Sequence, residues 1–268
     1  MNTLLIVIPF TADNAPVAER LCDWIFHLSG RTTKGHALLV AAADVHKEMC
    51  AKIAIAAEVA FETSELIVAP ESRAPSPAVV GNQLFKFAGE YVVRHFQSPW
   101  LWLESQCVPL KSNWQEHLLL AYNSQPKRYM GSHLRFSAAT PNAPEKLCLS
   151  PCSVYPSDAI GDLQPYCDTA APFQIAAAPQ ILARSTKSRL IQELAYDGDN
   201  AKVRPDACVL NGDKSGALIE HLRAALAPDE SAQIPVTNGQ RLKLTVDERM
   251  AKARSARGKV GATQMARL

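Results

Sequence analysis

No apolar run in this 268-residue chain approaches the ~20 residues of a membrane-spanning helix, so we expect no membrane partner. The chain also begins without a basic leader and a small-residue cleavage site, so we expect no secretory signal. Its seven cysteines form no Cys-x-x-Cys pair. An odd number of cysteines without zinc-finger spacing predicts reduced thiols in a cytoplasmic protein rather than a disulfide framework or a zinc site.

The length of 268 residues is enough for one large α/β domain or for one domain with an appendage, and the apolar fraction of 47% supports a real core. Short apolar runs alternate with stretches of helical periodicity. The predicted strands are Leu4–Phe10, Ala37–Asp44, Glu65–Ala69 and Trp100–Leu103, and the predicted helices are Pro16–Leu28, His46–Phe61 and Gly81–Phe96. This β-α-β-α-β-α-β order predicts a mostly parallel sheet flanked by helices, with the four strands as neighbours.

The most informative segment follows the fourth predicted strand, where Glu104, Ser105 and Gln106 form a polar triplet. Ligands of open α/β sheets bind at the carboxyl ends of the strands. Alternate strand residues point to the same side, so Glu104 and Gln106 could face one ligand together. The alternative interpretation is a core strand followed by an ordinary polar turn.

Four segments together resemble the GT-A glycosyltransferase fold, and in particular the small glycosyltransferase-like proteins of bacteriophage genomes. The resemblance is carried by Ile6–Phe10, the acid Asp44 after the second strand, the helix segment Asn82–Phe87 and the segment Trp100–Leu110. It implies a GT-A-like, Rossmann-like α/β domain that transfers a sugar from a nucleotide-sugar donor. If the chain is phage-encoded, it would work in the host cytoplasm, and modified DNA bases become an acceptor to consider.

The resemblance also implies a donor site. The first strand and its loop hold the nucleotide in this family, and an Asp-x-Asp or Glu-x-Asp motif after the fourth strand holds a divalent metal on the diphosphate. The corresponding donor-binding residues here are Pro9, Phe10, Thr11, Asp44, Asn82, Glu104 and Gln106. A hard cation held by carboxylate oxygens would offset the charge of the departing nucleoside diphosphate.

A second segment, Asp206–Arg223, predicts a strand, a loop and a helix. The family places a metal-binding His near the position of Asn211, and the residues that follow would close over the donor. Asn211, Asp213 and Lys214 are therefore further donor-site candidates, with Lys214 as a point charge for a phosphate. The alternative is a glycine-containing turn with solvated polar side chains.

The chain departs from the family pattern at both metal positions, because neutral Gln106 and Asn211 replace a carboxylate and an imidazole. Three interpretations stay open. The chain binds Mn²⁺ or Mg²⁺ weakly, with Glu104 as a ligand; it is a metal-independent enzyme that uses Lys or Arg on the phosphates; or it is a catalytically inactive GT-A-like scaffold that serves as a binding or structural protein. No residue is identified as a catalytic base.

The resemblance covers residues 3–123 well, and Phe136–Ala183, rich in Pro, Ala and Ser, shows little regular periodicity. We expect the glycosyltransferase-like domain to span residues 1–228 and a basic tail to span 229–268. Eight basic and two acidic residues follow residue 240, and a capping box predicts a short helix from about Val246. The positive charge of this tail predicts contact with DNA or an acidic partner. The alternative is a solvated tail without a partner. Homo-oligomerisation stays open.

Overall fold

The computed structural model describes residues 3–30, 32–71, 76–136, 146–194 and 203–226. Its strands are β1 (Leu5–Phe10), β2 (Thr33–Ala41), β3 (Phe61–Val68), β4 (Trp100–Trp102), β5 (Cys107–Pro109), β6 (Tyr129–Phe136), β7 (Lys146–Tyr155), β8 (Ser185–Lys187), β9 (Ile191–Glu193) and β10 (Val209–Asn211). Its helices are α1 (Ala15–Ser29), α2 (Lys47–Ala60), α3 (Pro77–His95), α4 (Trp114–Asn123), α5 (Ala159–Cys167), α6 (Phe173–Ala176), α7 (Ala178–Ala183) and α8 (Ala217–Leu226).

The main sheet has seven strands in the order β3-β2-β1-β4-β7-β6-β8 within the described residues. Strands β3, β2, β1 and β4 are parallel neighbours, as the sequence predicts. Strand β7 runs antiparallel to both β4 and β6, whereas β6 and β8 are parallel. The prediction of a mostly parallel sheet flanked by helices is confirmed, although several strand and helix ends shift by a few residues.

The core lies around β1, every residue of which is buried. Helices cover both faces of such a central parallel strand, which explains its continuous apolar sequence. Phe85 of α3 contacts a set of aromatic rings from both halves of the sheet. These rings belong to Trp100, Trp102, Tyr155 and Phe173, with centroids 3.9 to 5.2 Å from that of Phe85.

A second sheet of three strands, in the order β5-β10-β9, follows from the turn after β4. Strand β10 is antiparallel to β5 and parallel to β9. The indole N–H of Trp24 in α1 donates a hydrogen bond of 2.7 Å to the carbonyl of Pro109. Because Trp24 is fully buried, this bond satisfies a polar group that would otherwise be costly to bury.

The region with little sequence periodicity contains β7 and the three helices α5 to α7. Strand β7 lacks a clear pattern because Ser150 and Ser153 are fully buried within it and Pro151 interrupts it. The Ser153 hydroxyl is satisfied locally, since it donates 2.7 Å to the carbonyl of Ser150. Polar residues at core positions remove the alternation by which such a strand is recognised.

The chain divides into two compact units, Met1–Ile219 and Glu220–Leu268. Only residues 220–226 of the second unit, the end of α8, are described. The predicted tail, including the expected helix from Val246, lies outside the described residues. None of the described helices has the length and apolarity required to cross a membrane.

Candidate functional site

A cleft of about 560 Å³ opens at the carboxyl ends of β1, β2 and β4. Loops that follow these parallel strands converge there, at the edge where open α/β sheets bind ligands. The cleft is lined by Pro9, Phe10, Thr11, Asp13, Asn14, Val17, Asp44, Ser76, Pro77, Val80, Gly81, Leu84, Trp102, Glu104, Ser105, Gln106 and Lys214. Seven of the ten predicted site residues are in this set: Pro9, Phe10, Thr11, Asp44, Glu104, Gln106 and Lys214.

The loop after β1 is held in place by the side chain of Asn14, which lies within the loop. Asn14 Oδ1 accepts a hydrogen bond of 2.7 Å from the backbone N–H of Thr11, and the N–H of Ala15 donates to the Thr11 carbonyl. Helix α1 starts at once, with Pro16 in its first turn, where a missing N–H costs nothing. Thr11 is thereby fixed at the cleft wall, and Asp44 lies exposed in the loop after β2.

Glu104 and Gln106 lie on the tight turn that joins β4 to β5. The backbone N–H of Cys107 donates to the Glu104 carbonyl at 2.8 Å, and the Gln106 side-chain amide donates 3.0 Å to Glu104 Oε2. Burial raises the pKa of the Glu104 carboxyl above its usual range, while hydrogen bonds from Gln106 and Trp102 act in the opposite direction. The acid is therefore already paired within the turn, and burial favours its neutral form.

The loop at 212–216 packs against this turn. The N–H groups of Gly212 and Asp213 both donate to the Gln106 carbonyl, at 3.2 and 3.0 Å. Gly212 and Gly216 have φ angles of 130° and 79°, which favour glycine. Lys214 lies between these glycines, and its exposed side chain lines the cleft.

Asp213 has a structural role at the start of α8. It is 1% exposed, and its Oδ2 accepts hydrogen bonds of 3.1 and 3.4 Å from the N–H groups of Leu218 and Ile219. Free N–H groups in the first turn of a helix are commonly satisfied in this way. The carboxylate is thus directed to the helix rather than to the cleft.

The other two predicted site residues make contacts away from the cleft wall. Asn82 joins α3 to the loop before α6: its amide donates to the carbonyls of Thr169 and Ala171, and its Oδ1 accepts from the N–H of Phe173 at 2.8 Å. Asn211 is 4% exposed and uses both ends of its amide. It donates 2.9 Å to Glu193 Oε2 and accepts from Cys107 Sγ at 3.3 Å.

Glu193 is a second half-buried acid, and no sequence pattern selects it, because β9 is too short to show periodicity. Besides Asn211, the Ser150 hydroxyl donates to its carboxylate. The pKa of Glu193 is raised to about 7, because burial, with a smaller contribution from the charge of Glu104, outweighs the two hydrogen bonds that lower it. The start of α3, with Ser76 and Pro77, is also part of the cleft and was also missed.

The residues present do not fit a tight divalent-metal site. The described carboxylates at the cleft are Asp13, Asp44 and Glu104, and Glu104 is hydrogen-bonded to Gln106. Across the described ranges, His, Cys, Asp and Glu side chains form no group of three able to hold a metal ion. Asn211 and Asp213, which would have to complete a ligand set, are engaged elsewhere.

No protein-family model matches the chain, and no curated protein does. The galactosyltransferase LgtC, solved in complex with donor and acceptor sugar analogues, superposes with a TM-score of 0.54 at 12% identity, over 85% of this chain and 98% of LgtC. The chain has the GT-A fold. An active-site mutant of LgtC gives a TM-score of 0.50 at 11% identity. The bifunctional glycosyltransferase WbbM gives 0.52 at 11% identity, over 78% of this chain but 45% of WbbM.

Proposed function

We propose that this chain transfers a sugar from a nucleotide-activated donor. The observation that carries the proposal is the cleft at the carboxyl edge of β1, β2 and β4, with Lys214 on the loop that packs against the β4–β5 turn. Polar loops on one wall suit a nucleoside, and a cation on the other suits a diphosphate. The GT-A fold supports the same assignment.

Each part of the donor has a partner in this arrangement. Thr11 and Asp44 offer a hydroxyl and a carboxylate to the nucleoside, beside the buried Phe10. Glu104 and Gln106 lie where the diphosphate would lie, and Lys214 faces it as a point charge. Because the departing nucleoside diphosphate gains negative charge, a fixed cation nearby would lower the barrier to transfer.

The test is a thermal-shift screen of the full chain with nucleoside diphosphates and nucleotide sugars, followed by an assay of nucleoside diphosphate release. A ligand that binds only the folded state must raise the melting temperature. Asp44→Asn should reduce the shift, whereas Glu116→Gln, which changes an exposed acid on α4 away from the cleft, should not. If no nucleotide raises the melting temperature, the proposal is wrong.

For the acceptor, the proposal extends to the bases of phage DNA. Its support is the composition of the tail, in which eight basic residues follow residue 240. Cationic segments bind the DNA backbone and release counterions, so binding would weaken steeply with salt. The domain division at residues 228 and 229 belongs to this proposal, with the tail as the DNA-binding segment.

A catalytically inactive GT-A-like scaffold is the second candidate. The observation that favours it is the polar pairing at the turn: Gln106 binds Glu104, and Asn211 binds Glu193. Such a scaffold would bind a nucleotide sugar without consuming it, or would bind none. Release of nucleoside diphosphate during prolonged incubation with a stabilising nucleotide sugar would exclude this candidate.

A further inference from the structure

The donor's diphosphate brings negative charge into a cleft that already contains carboxylates. A divalent metal would need ligands with free lone pairs directed at it. At the β4–β5 turn the one carboxylate is Glu104, and one of its oxygens already accepts the Gln106 amide at 3.0 Å. That amide presents N–H groups to its neighbour, so Gln106 reinforces the pairing rather than adding a metal ligand.

The neighbouring polar residues are no better placed to hold a metal. Asn211 is 4% exposed, and both its Nδ2 and its Oδ1 are bonded, to Glu193 and Cys107. Asp213 is 1% exposed, and its Oδ2 accepts two backbone N–H groups of α8. Freeing either side chain for a metal would leave buried donors without partners, which costs about 1 to 3 kcal/mol for each group.

The cation that the site does contain is Lys214, the one basic residue among the described residues that line the cleft. Its loop is tied down on both sides. The Gln106 carbonyl accepts two N–H groups of this loop, and the Arg20 guanidinium donates 3.3 Å to the carbonyl of Ser215. The loop passes so close to Arg20 that a Cβ on Gly216 would lie 3.1 Å from Arg20 Cζ.

Arg20 adds a second positive charge behind the same loop. It lies on α1, outside the set of cleft-lining residues, and its Nε is buried without a hydrogen-bond partner in the described structure. Its guanidinium therefore combines two properties: it supports the Lys214 loop, and it raises the positive potential of this wall. Because Lys214 lies on a loop that is already held in place, it can meet a diphosphate with little loss of conformational freedom.

We infer that this cleft binds the diphosphate of its donor without a divalent metal, with Lys214 as the cation and Arg20 as the residue that positions the Lys214 loop. The inference rests on the proposed function, since it concerns the same donor. It separates this chain from a GT-A site built around a metal: here the compensating charge is covalently part of the protein.

The experiment is calorimetric titration of the full chain with UDP, GDP, ADP, CDP and dTDP, each with EDTA and with Mn²⁺. For the diphosphate that binds most tightly, the two dissociation constants should agree within about threefold. Lys214→Met should weaken binding in EDTA by about tenfold or more, equivalent to about 1.4 kcal/mol. Lys214→Arg should restore most of the affinity, and Lys52→Met, on the exposed face of α2, should have no effect.

The matching nucleoside, which has no phosphate, separates a positioning role of Arg20 from a general structural one. Arg20→Met should lower the affinity for the nucleoside diphosphate but leave the affinity for the nucleoside unchanged. Equal loss of both ligands would overturn the role assigned to Arg20.

Three results would overturn the inference as a whole. Binding that falls more than about tenfold in EDTA, or that survives Lys214→Met, would do so while leaving the proposed function standing. If no diphosphate binds under either condition, the proposed function and the inference fail together.

Discussion

The two halves of the main sheet are built in different ways. On one side, β3, β2, β1 and β4 are parallel, and the three connections between them in sequence each carry a long helix. On the other side, β7 and β6 form an antiparallel pair, and three short helices precede the three-residue strand β8. The regular half gives the cleft its edge. The irregular part of the chain, together with the small sheet, supplies Lys214 on the cleft wall and the hydrogen-bonded pair Glu193 and Asn211.

The largest effect is expected from removing Phe85, a side chain that packs against both halves of the main sheet. Phe85→Ala deletes a fully buried ring that contacts Trp100 of β4 and Tyr155 of β7. We expect a loss of about 3 to 5 kcal/mol in the free energy of unfolding, measured with urea. Phe87→Ala, a partly buried residue of the same helix, should cost clearly less. Equal losses would mean that the ring cluster does not connect the two halves.

Within the irregular half, Gly131 of β6 is the described glycine with the least room for a side chain. A Cβ there would lie 1.8 Å from Ser153 Oγ and 3.2 Å from Leu149 Cδ1, so Gly131→Ala should destabilise by about 2 to 3 kcal/mol. Gly161→Ala is the matched control, since its Cβ would meet nothing within 4 Å. It replaces a helical glycine and should stabilise by up to about 1 kcal/mol. If urea unfolding gave similar changes in the free energy of unfolding for Gly131→Ala and Gly161→Ala, β6 and β7 would have to move apart enough to accommodate the added methyl group.

Glu193, the half-buried acid on β9 of the small sheet, should make the free energy of unfolding depend on pH. The pKa of Glu193 is about 7 when folded against 4.5 ordinarily, so the folded state binds more protons between these values. The contribution of protonated Glu193 to the free energy of unfolding is therefore fully present below about pH 4.5 and is lost as pH rises through 7. Allowing for its partial exposure, we expect a loss of about 2 kcal/mol.

Glu193→Gln should remove this loss, because a neutral amide can donate to Ser150 and still accept from Asn211 as the protonated acid does. Urea unfolding at pH 5 and pH 8 measures the effect for both proteins. The variant should match the wild type at pH 5 and exceed it at pH 8. A wild type and a variant that fall in parallel would show that Glu193 is not the responsible group.

On the turn between β4 and β5, Gln106→Asp places a second carboxylate two residues after Glu104. We expect Mn²⁺ affinity, measured by calorimetry with bound nucleotide, to rise about tenfold, because two carboxylates replace one. Gln180→Asp, exposed on α7, should leave it unchanged. Submicromolar affinity in the unaltered protein would show that its own residues already suit a metal.

The smallest expected effect on stability is that of the tail. Removal of residues 241–268, which lie outside the described residues, should change the free energy of unfolding by less than about 0.5 kcal/mol, as for surface changes generally. It should weaken DNA binding and flatten its dependence on salt. Loss of folding would place the tail within a packed element, and unchanged DNA affinity would favour a solvated tail.

The sequence predicted the parallel half because each of its elements is defined by local periodicity: β1 is uniformly apolar, and α1 buries one face. It could not predict the roles of Asn82, Asn211 and Asp213. All three are polar residues of types that bind ligands, yet each satisfies backbone or side-chain groups up to 104 residues away in sequence. Glu193 and Arg20 were missed for the same reason, since their environments arise from long-range contacts that no local pattern records.

The two hydrogen bonds from Gly212 and Asp213 to the Gln106 carbonyl also bear on the order in which the protein is made. Synthesis produces β1 to β4 and the Glu104 turn early, whereas the Lys214 loop emerges about a hundred residues later. A nascent chain could form the parallel strands, as the amino-terminal parts of proteins tend to do first, yet would lack one wall of the cleft. The nucleotide-sugar donor would therefore stabilise only those chains whose synthesis has continued past this loop.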